Sequence, residues 1–107
     1  MARVLGQSAP SSNTDTSLYT TPSGRRCVVS SLSISNTGAA SATCRVAIRP
    51  AGEALAAKHY LLYDEEVPVG SSRLVVLGVD LDATDVVTVR SSTGNAAFTL
   101  IGDEIIP

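Results

Sequence analysis

Apolar and polar residues alternate with a period of two along most of this chain, which is the pattern of strands that bury one face. In residues 27–35 the alternation predicts an apolar face made of Val28, Ser30, Leu32 and Ile34. In residues 42–49 it predicts an apolar face made of Cys44, Val46 and Ile48. The opposite face of this second run carries Arg45 and Arg49, and a loop opens between the two runs at Asn36-Thr37-Gly38. The sequence therefore predicts a hairpin whose second side faces water or a neighbouring subunit.

Further strands are predicted before and after this hairpin. Residues 73–81 carry apolar side chains on both faces, so we expect this strand to be covered on both sides. Residues 85–91 and 97–101 are joined by Ser92-Thr93-Gly94-Asn95, a turn of the kind that closes a hairpin. With residues 17–21 the count is about seven or eight short strands and no long helix, which predicts an all-β fold, a single antiparallel β-sandwich of jelly-roll type.

The amino-terminal residues are more polar than the rest of the chain. Residues 8–17 are rich in Ser, Thr and Asn, which is typical of a loop or an extended arm. The segment from Arg3 to Gly6, with Leu5 in it, either pairs as a short edge strand or reaches out to a neighbour. Residues 1–17 are thus predicted as an arm or edge segment, and residues 18–107 as the sandwich domain.

The only lysine and the only histidine of the chain lie in residues 49–64. Residues 50–57 are predicted to be a crossover with at most a turn or two of helix, which leads into residues 58–64 as the next strand. Strict alternation places His59, Leu61 and Tyr63 on one face of that strand and Tyr60, Leu62 and Asp64 on the other. We expect Tyr60 and Leu62 to point into the core, which leaves His59 and Tyr63 to contact a neighbouring subunit.

The two cysteines, Cys27 and Cys44, are expected to be free thiols. In the predicted hairpin Cys44 lies opposite Ser33 and Cys27 lies near Pro50, so that the two sulfur atoms are well beyond the reach of a disulfide. The same register places Cys44 on the apolar face, where a small buried cysteine is the ordinary case.

Composition narrows the possible functions. Charged residues make up 17% of the 107 residues, the formal net charge is -2, and the basic residues are scattered, which argues against binding to nucleic acid. With one lysine to protect its edges, the chain is expected to be covered by partner subunits. No apolar run of secretory or membrane-spanning length occurs, so we expect synthesis in a cytoplasm and no membrane partner.

No residue pattern predicts catalysis or a cofactor. One histidine cannot form a two-histidine zinc site, and the motifs of serine hydrolases and nucleotide-binding proteins do not occur. Asp80 to Asp85 lacks the glycine and the glutamate of a calcium loop, so a solvated turn is expected there. Sugar binding by Tyr60 and Tyr63 is disfavoured because alternation separates them and the chain has no tryptophan. We therefore expect no enzyme activity, no cofactor and no metal site, and expect these tyrosines to lie at a subunit interface.

Several short segments resemble one family over nearly the whole chain. They are Val-Leu-Gly-Gln-Ser-Ala-Pro at 4–10, Leu-Tyr-Thr-Thr-Pro-Ser-Gly at 18–24, Val-Val-Ser-Ser-Leu at 28–32, Arg-Pro-Ala-Gly at 49–52, Lys-His-Tyr-Leu-Leu-Tyr-Asp at 58–64 and Gly-Asp-Glu-Ile at 102–105. In these segments the chain resembles the small β-sandwich structural proteins of tailed bacteriophages. The resemblance implies a virion component without turnover chemistry, one that associates with copies of itself, as a trimer, and with capsid or tail proteins.

Two placements in a virion follow from this resemblance. The first is a capsid decoration or cement protein that binds neighbouring capsomers, and the alternative is a tail, baseplate or fibre module, which could bind a host glycan. The residues predicted to contact other subunits or the shell are Arg3, Leu5, Arg45, Arg49, His59 and Tyr63.

Overall fold

The segments with alternating apolar and polar residues form two packed β-sheets in a computed structural model, which describes residues 3–106. Each sheet has four antiparallel strands, which confirms the predicted all-β sandwich. The strands are β1 Arg3–Ser8, β2 Thr16–Thr20, β3 Arg26–Asn36, β4 Ala42–Arg49, β5 Tyr60–Val67, β6 Ser72–Leu81, β7 Val86–Ser91 and β8 Ala96–Ile105. The crossover between β4 and β5 contains two short 3₁₀ turns, Pro50–Gly52 and Ala57–His59.

The strand order is that of a jelly roll. Sheet A has the order β1-β8-β3-β6 and sheet B the order β2-β7-β4-β5. Only β4 and β5 are neighbours both in sequence and in a sheet; the other consecutive strands of residues 3–106 lie in opposite sheets. The chain therefore passes from one sheet to the other at almost every connection, as in a double-sheet jelly roll.

This topology corrects both predicted hairpins. Strand β3 pairs with β6 and β8, whereas β4 pairs with β5 and β7. The turn at residues 92–95 likewise joins β7 of sheet B to β8 of sheet A. Alternation tells which face of a strand is buried, but a sandwich can bury that face from either sheet, so the pattern does not choose the partner.

The core lies between the inner faces of the two sheets and consists mainly of Val, Leu, Ile, Ala and Cys side chains. Its largest fully buried side chains are Phe98, Leu32, Ile34, Leu81 and Leu100. Each fully buried Val, Leu or Ile side chain contributes about 1.5–3 kcal/mol relative to an exposed one. Small side chains from eight strands thus supply the stabilisation that large aromatic side chains provide in other proteins.

The register of sheet A shifts at one level across the sheet. Strand β3 shifts between Val29 and Ser31 against both of its neighbours, and β1 shifts between Val4 and Gly6 against β8. Because such a β-bulge changes the phase of alternation, Val28 and Ser30 point outward while Cys27 and Val29 are buried. The predicted apolar face of β3 is therefore correct for Leu32 and Ile34 and wrong for Val28 and Ser30.

Both cysteines are free and buried, which confirms the predicted thiols. The register behind that prediction is wrong, since Cys44 pairs with Ser91 and Glu65 in sheet B, whereas Cys27 lies in sheet A. Burial raises the pKa of both thiols, so neither is an activated nucleophile.

The amino-terminal segment forms the edge of sheet A, which decides between the two alternatives for residues 3–6. Strand β1 pairs with β8, and Leu5 packs against the core. The Arg3 guanidinium donates to Glu104 Oε1 at 2.8 Å, and the Tyr19 hydroxyl donates to Glu104 Oε2 at 2.6 Å. Because Tyr19 lies in sheet B, this carboxylate ties the two sheets together. Burial, with this hydrogen bond, raises the pKa of the Tyr19 hydroxyl well above its usual range, so the hydroxyl remains a donor.

Substitution of Gly102 is expected to destabilise the fold at the shifted level of sheet A. A Cβ atom at this position would overlap the Val28 carbonyl oxygen and lie 2.9 Å from the Val29 Cα, both of them backbone atoms that cannot rotate away. Gly102→Ala should lower the free energy of unfolding by about 1–3 kcal/mol, as measured by urea denaturation. Gly94→Ala, where nothing lies within 4 Å of the added Cβ, is the control. Equal stability of the two variants would contradict the claim that β3 leaves no room for a Cβ atom at Gly102.

Candidate functional site

The outer face of sheet A has two adjacent rows without a charged side chain, and beside them Asp80 and Asp103 pair with the outward-pointing Val28. Its central row crosses all four strands, because the paired residues in it are Val4, Ile101, Ser31 and Val76. The adjoining row contains Gln7, Thr99, Ser33 and Leu74. Leu74 and Val76 are 68% and 80% exposed, and both lie on β6, which has a free edge. Two adjacent rows without a charged side chain form a continuous surface that costs little to dehydrate. Exposed apolar residues that are scattered singly do not form such a surface.

A row of charged residues crosses the outer face of sheet B instead. Arg45 of β4 lies opposite Arg90 of β7. Arg90 pairs with Asp15 at 3.4 Å, and Arg45 Nε donates to Asp64 Oδ1 at 2.7 Å. The two arginines are thus flanked by two carboxylates, one at each end of the row. This arrangement balances the charges but leaves a face that is costly to dehydrate.

Bulges in β5 bring two tyrosines to the same side of sheet B. The β4–β5 register shifts between Cys44 and Val46 and again between Val46 and Ala47, and in both places β5 has the extra residue. Asp64 accordingly has a φ of 53°, a conformation that Asp tolerates better than most residues. The Tyr60 and Tyr63 rings therefore meet edge to face, with centroids 5.0 Å apart. The predicted separation of these tyrosines is wrong, because two extra residues disturb the strict alternation on which it was based.

Arg45 connects the charged row to the tyrosine pair. Its guanidinium carbon lies 4.1 Å from the centre of the Tyr63 ring and 6.0 Å from that of Tyr60. A second hydrogen bond, from Arg45 Nη2 to Asp64 Oδ2 at 3.3 Å, makes the ion pair bidentate. This bond holds the pKa of the Asp64 carboxyl below its usual range. One arginine thus fixes both the bulged backbone and the Tyr63 ring.

A shallow groove opens beside this cluster, and we refer to it as the tyrosine groove. It is lined by Asp15, Leu55, Ala56, Ala57, Tyr60 and Tyr63 and has a volume of about 770 Å³. The crossover forms one wall, the two rings form another, and Asp15 contributes a carboxylate from the loop before β2. No pattern along the chain predicts this groove, because its residues come together only through the bulges and the crossover.

Hydrogen bonds to side chains fix the crossover wall of the groove. The backbone N–H of Ala56 donates to His59 Nδ1 at 3.0 Å, and His59 Nε2 lies 3.1 Å from Glu53 Oε1. Because Nδ1 accepts a hydrogen bond, the ring proton is on Nε2 and is donated to Glu53. The same bond, together with Lys58, holds the pKa of the Glu53 carboxyl below its usual range. Arg49 donates to the Gly52 and Glu53 carbonyl oxygens and to the Thr88 hydroxyl.

The residues predicted to contact other subunits fall into three groups. Arg3 and Leu5 lie on the edge strand of sheet A, with Arg3 paired to Glu104. Tyr63 is 60% exposed and lies beside Arg45 on the outer side of sheet B. Arg49 and His59 form hydrogen bonds with the backbone of the crossover, and His59 is only 6% exposed. Leu62 packs against the core as predicted, whereas Tyr60 lines the groove and does not point into the core.

Residues 3–106 contain no cluster of metal-binding side chains and no helix that could span a membrane. In residues 3–106, no three His, Cys, Asp or Glu side chains come together as a metal-binding group. The Asp80–Asp85 segment forms a turn in which Asp85 accepts hydrogen bonds from the backbone N–H groups of Asp82 and Ala51. In the same part of the chain, no helix has the length and apolarity that crossing a membrane requires.

Comparison with known proteins gives one structural likeness. No family model matches the chain, and no curated protein matches it. The fold is similar to that of a chain in the acid-stable capsid structure of Helicobacter pylori bacteriophage KHP30. The two share 14% sequence identity, the alignment covers 98% of this chain and 93% of that one, and the TM-score is 0.58. The likeness therefore extends over the whole sandwich at the level of the fold.

The Arg45–Asp64 pair is expected to make stability depend on pH in the acid range. A carboxyl whose pKa is lower in the folded than in the unfolded state stabilises the fold above its unfolded pKa of about 3.9, and this contribution is lost as the pH falls through the folded pKa. Asp64→Asn should therefore be less stable than the unchanged protein at pH 6, and the difference should shrink as the pH falls below about 4. Thermal unfolding between pH 2 and pH 7 measures this.

Asp82→Asn, on the exposed turn after β6, controls for the loss of one negative charge. A stability difference between the unchanged protein and Asp64→Asn that stays constant across the pH range would contradict the assignment to this ion pair.

Proposed function

We propose that the protein is a non-enzymatic structural component of a phage capsid, and that it acts there as a decoration or cement protein. In this role it binds neighbouring capsomers on the outside of the shell. The likeness of fold to a chain of a phage capsid structure supports the capsid placement. The two adjacent uncharged rows on the outer face of sheet A, one with Val76 and one with Leu74, are the observation that supports binding to a shell.

The two outer faces differ in what it costs to bury them. Burying the outer face of sheet B would dehydrate the charged row of Asp15, Arg90, Arg45 and Asp64, at a cost of several kcal/mol per ion unless the partner matched each charge. Burying the two uncharged rows of sheet A removes apolar groups from water, which is favourable. It also removes hydroxyl groups from water, which costs little when the partner forms hydrogen bonds with them. Sheet A is therefore the side that faces the shell in this proposal.

The edges of sheet A add to this surface. The free edge of β6 exposes unpaired backbone groups beside Leu74 and Val76, and such edges readily accept a neighbouring chain. The edge strand β1 contributes the exposed Val4 and Arg3, whereas Leu5, which was also predicted to make contacts, packs against the core. A shell subunit that covers sheet A would meet both edges as well as the face.

The shell contact can be tested with a charge placed in the central uncharged row, where this row reaches the free edge of β6. Purified protein added to undecorated phage shells should bind in symmetry-related copies, which cosedimentation and electron microscopy would count. Val76→Glu should weaken binding by at least about tenfold, because the carboxylate must be dehydrated or left unpaired in the interface.

Val69→Glu introduces the same charge at an exposed apolar residue in the turn between β5 and β6, so it is the matched control and should bind normally. No binding of the unchanged protein to shells would contradict the decoration role. Detection of only a few copies per particle, at one vertex or on the tail, would favour the tail, baseplate or fibre module.

Association with copies of itself is the second part of the proposal. The resemblance to phage β-sandwich proteins implies a trimer, and the exposed edge of β6 supports self-association because a chain with a single lysine protects such an edge poorly. Light scattering of the purified chain should give about three times the 11.0 kDa mass of one chain. A strictly monomeric protein at high concentration would contradict this expectation.

A further inference from the structure

The tyrosine groove is a concave site on the side of the molecule that the proposed shell contact leaves exposed. Its volume of about 770 Å³ falls within the range of small-molecule sites, which is roughly 300–1,000 Å³. Two aromatic rings and the side chains of Leu55, Ala56 and Ala57 line it, and Asp15 adds one carboxylate. Apolar walls with a few placed polar groups are the usual composition of such sites.

The aromatic wall is held in position before any ligand arrives. The Arg45 guanidinium lies over one face of the Tyr63 ring at 4.1 Å and is itself fixed by two hydrogen bonds to Asp64. Tyr63 nevertheless remains 60% exposed, so much of its side chain is still open to solvent. Tyr60 meets Tyr63 at an interplanar angle of 80°, which limits rotation of both rings. A flat apolar surface is thus presented at little cost in conformational entropy.

The opposite wall is equally constrained. The His59 ring bonds the Ala56 backbone on one side and Glu53 on the other, and Arg49 holds the Gly52 and Glu53 carbonyl oxygens. The crossover therefore cannot swing into or away from the groove without breaking several hydrogen bonds. This rigidity gives the buried histidine a role in shaping the site without contact to the ligand.

The charges around the groove select the type of ligand. Arg45 is paired with Asp64 and Arg90 with Asp15, so the charge of each arginine is already balanced by a carboxylate. Asp15 uses Oδ2 for its long 3.4 Å contact with Arg90, and no hydrogen bond in residues 3–106 involves its Oδ1. The groove thus offers an aromatic face, two phenol hydroxyls and a carboxylate acceptor, which suits a neutral molecule with an apolar face and several hydroxyl donors.

We propose that the tyrosine groove binds a neutral saccharide. The C–H face of a pyranose ring packs on the exposed part of the Tyr63 ring, and a sugar hydroxyl donates a hydrogen bond to Asp15. This site does not depend on the shell contact, because it lies on sheet B and its crossover, whereas the shell contact lies on sheet A. A decoration protein with both would present a sugar-binding surface outward from the particle.

The test uses the full chain and an array of bacterial surface oligosaccharides that includes neutral and anionic glycans. The unchanged protein should bind neutral glycans, and saturation-transfer NMR with the best of them should show transfer from aromatic protons to the C–H protons of one sugar face. Tyr63→Ala should weaken binding by about tenfold or more, whereas Tyr63→Phe, which keeps the ring, should retain most of it.

Two further variants protect the test against loss of folding. Ala57→Arg fills the groove from the crossover wall without touching the aromatic pair and should also abolish binding. Leu61→Ala removes an exposed side chain of β5 that does not line the groove, and it should bind normally. Circular dichroism would confirm that each variant is folded. The proposal is overturned if the unchanged protein binds no glycan, if it binds only anionic glycans, or if folded Tyr63→Ala and Ala57→Arg bind as well as the unchanged protein.

Discussion

Burial of one face of every strand, with small side chains, is the constraint on which the rest of this structure depends. The chain has one phenylalanine and no tryptophan, so no single large residue can organise the core. Phe98 is buried among Val, Leu, Ile, Ala and Cys side chains that come from both sheets. A core of this kind requires contributions from all the strands at once, which the jelly-roll order achieves by sending consecutive strands to opposite sheets.

With the inner faces committed to the core, the two outer faces are left for function, and they differ in chemistry. Sheet A presents uncharged rows and a free apolar edge on β6, whereas sheet B presents a row of four charged residues and a groove beside two tyrosines. The difference follows from the side chains that each strand turns outward, serines and valines in sheet A and arginines in sheet B. One compact sandwich thus offers two surfaces that suit partners of different kinds.

Departures from regular strand geometry build both surfaces. In sheet A the shift at Ser30 turns Val28 and Ser30 outward, and the Ser30 hydroxyl donates to the Ile101 carbonyl oxygen at 3.1 Å. In sheet B the extra residues of β5 bring Tyr60 and Tyr63 together, and the Arg45 guanidinium packs over the Tyr63 ring. Bulges commonly redirect side chains at sheet edges and binding sites, and β5 is the edge strand of sheet B. The groove therefore arises where the period of two fails, and the same kind of shift decides which side chains of β3 face outward.

The sequence by itself determined the strands, the class of fold, the buried thiols and the crossover, because alternation, turn residues and composition are local properties. It also identified the second apolar face of β6 and the exposure of Tyr63. Strand partners were decided only by the tertiary structure, since an inward face such as that of Cys44 and Val46 can be buried from either sheet. The positions of Tyr60 and Val28 were decided there as well, because a single extra residue reverses the phase of a strand and leaves no mark in the hydrophobic pattern. His59 was predicted on a strand face but lies in the 3₁₀ turn before β5, where strand alternation does not apply.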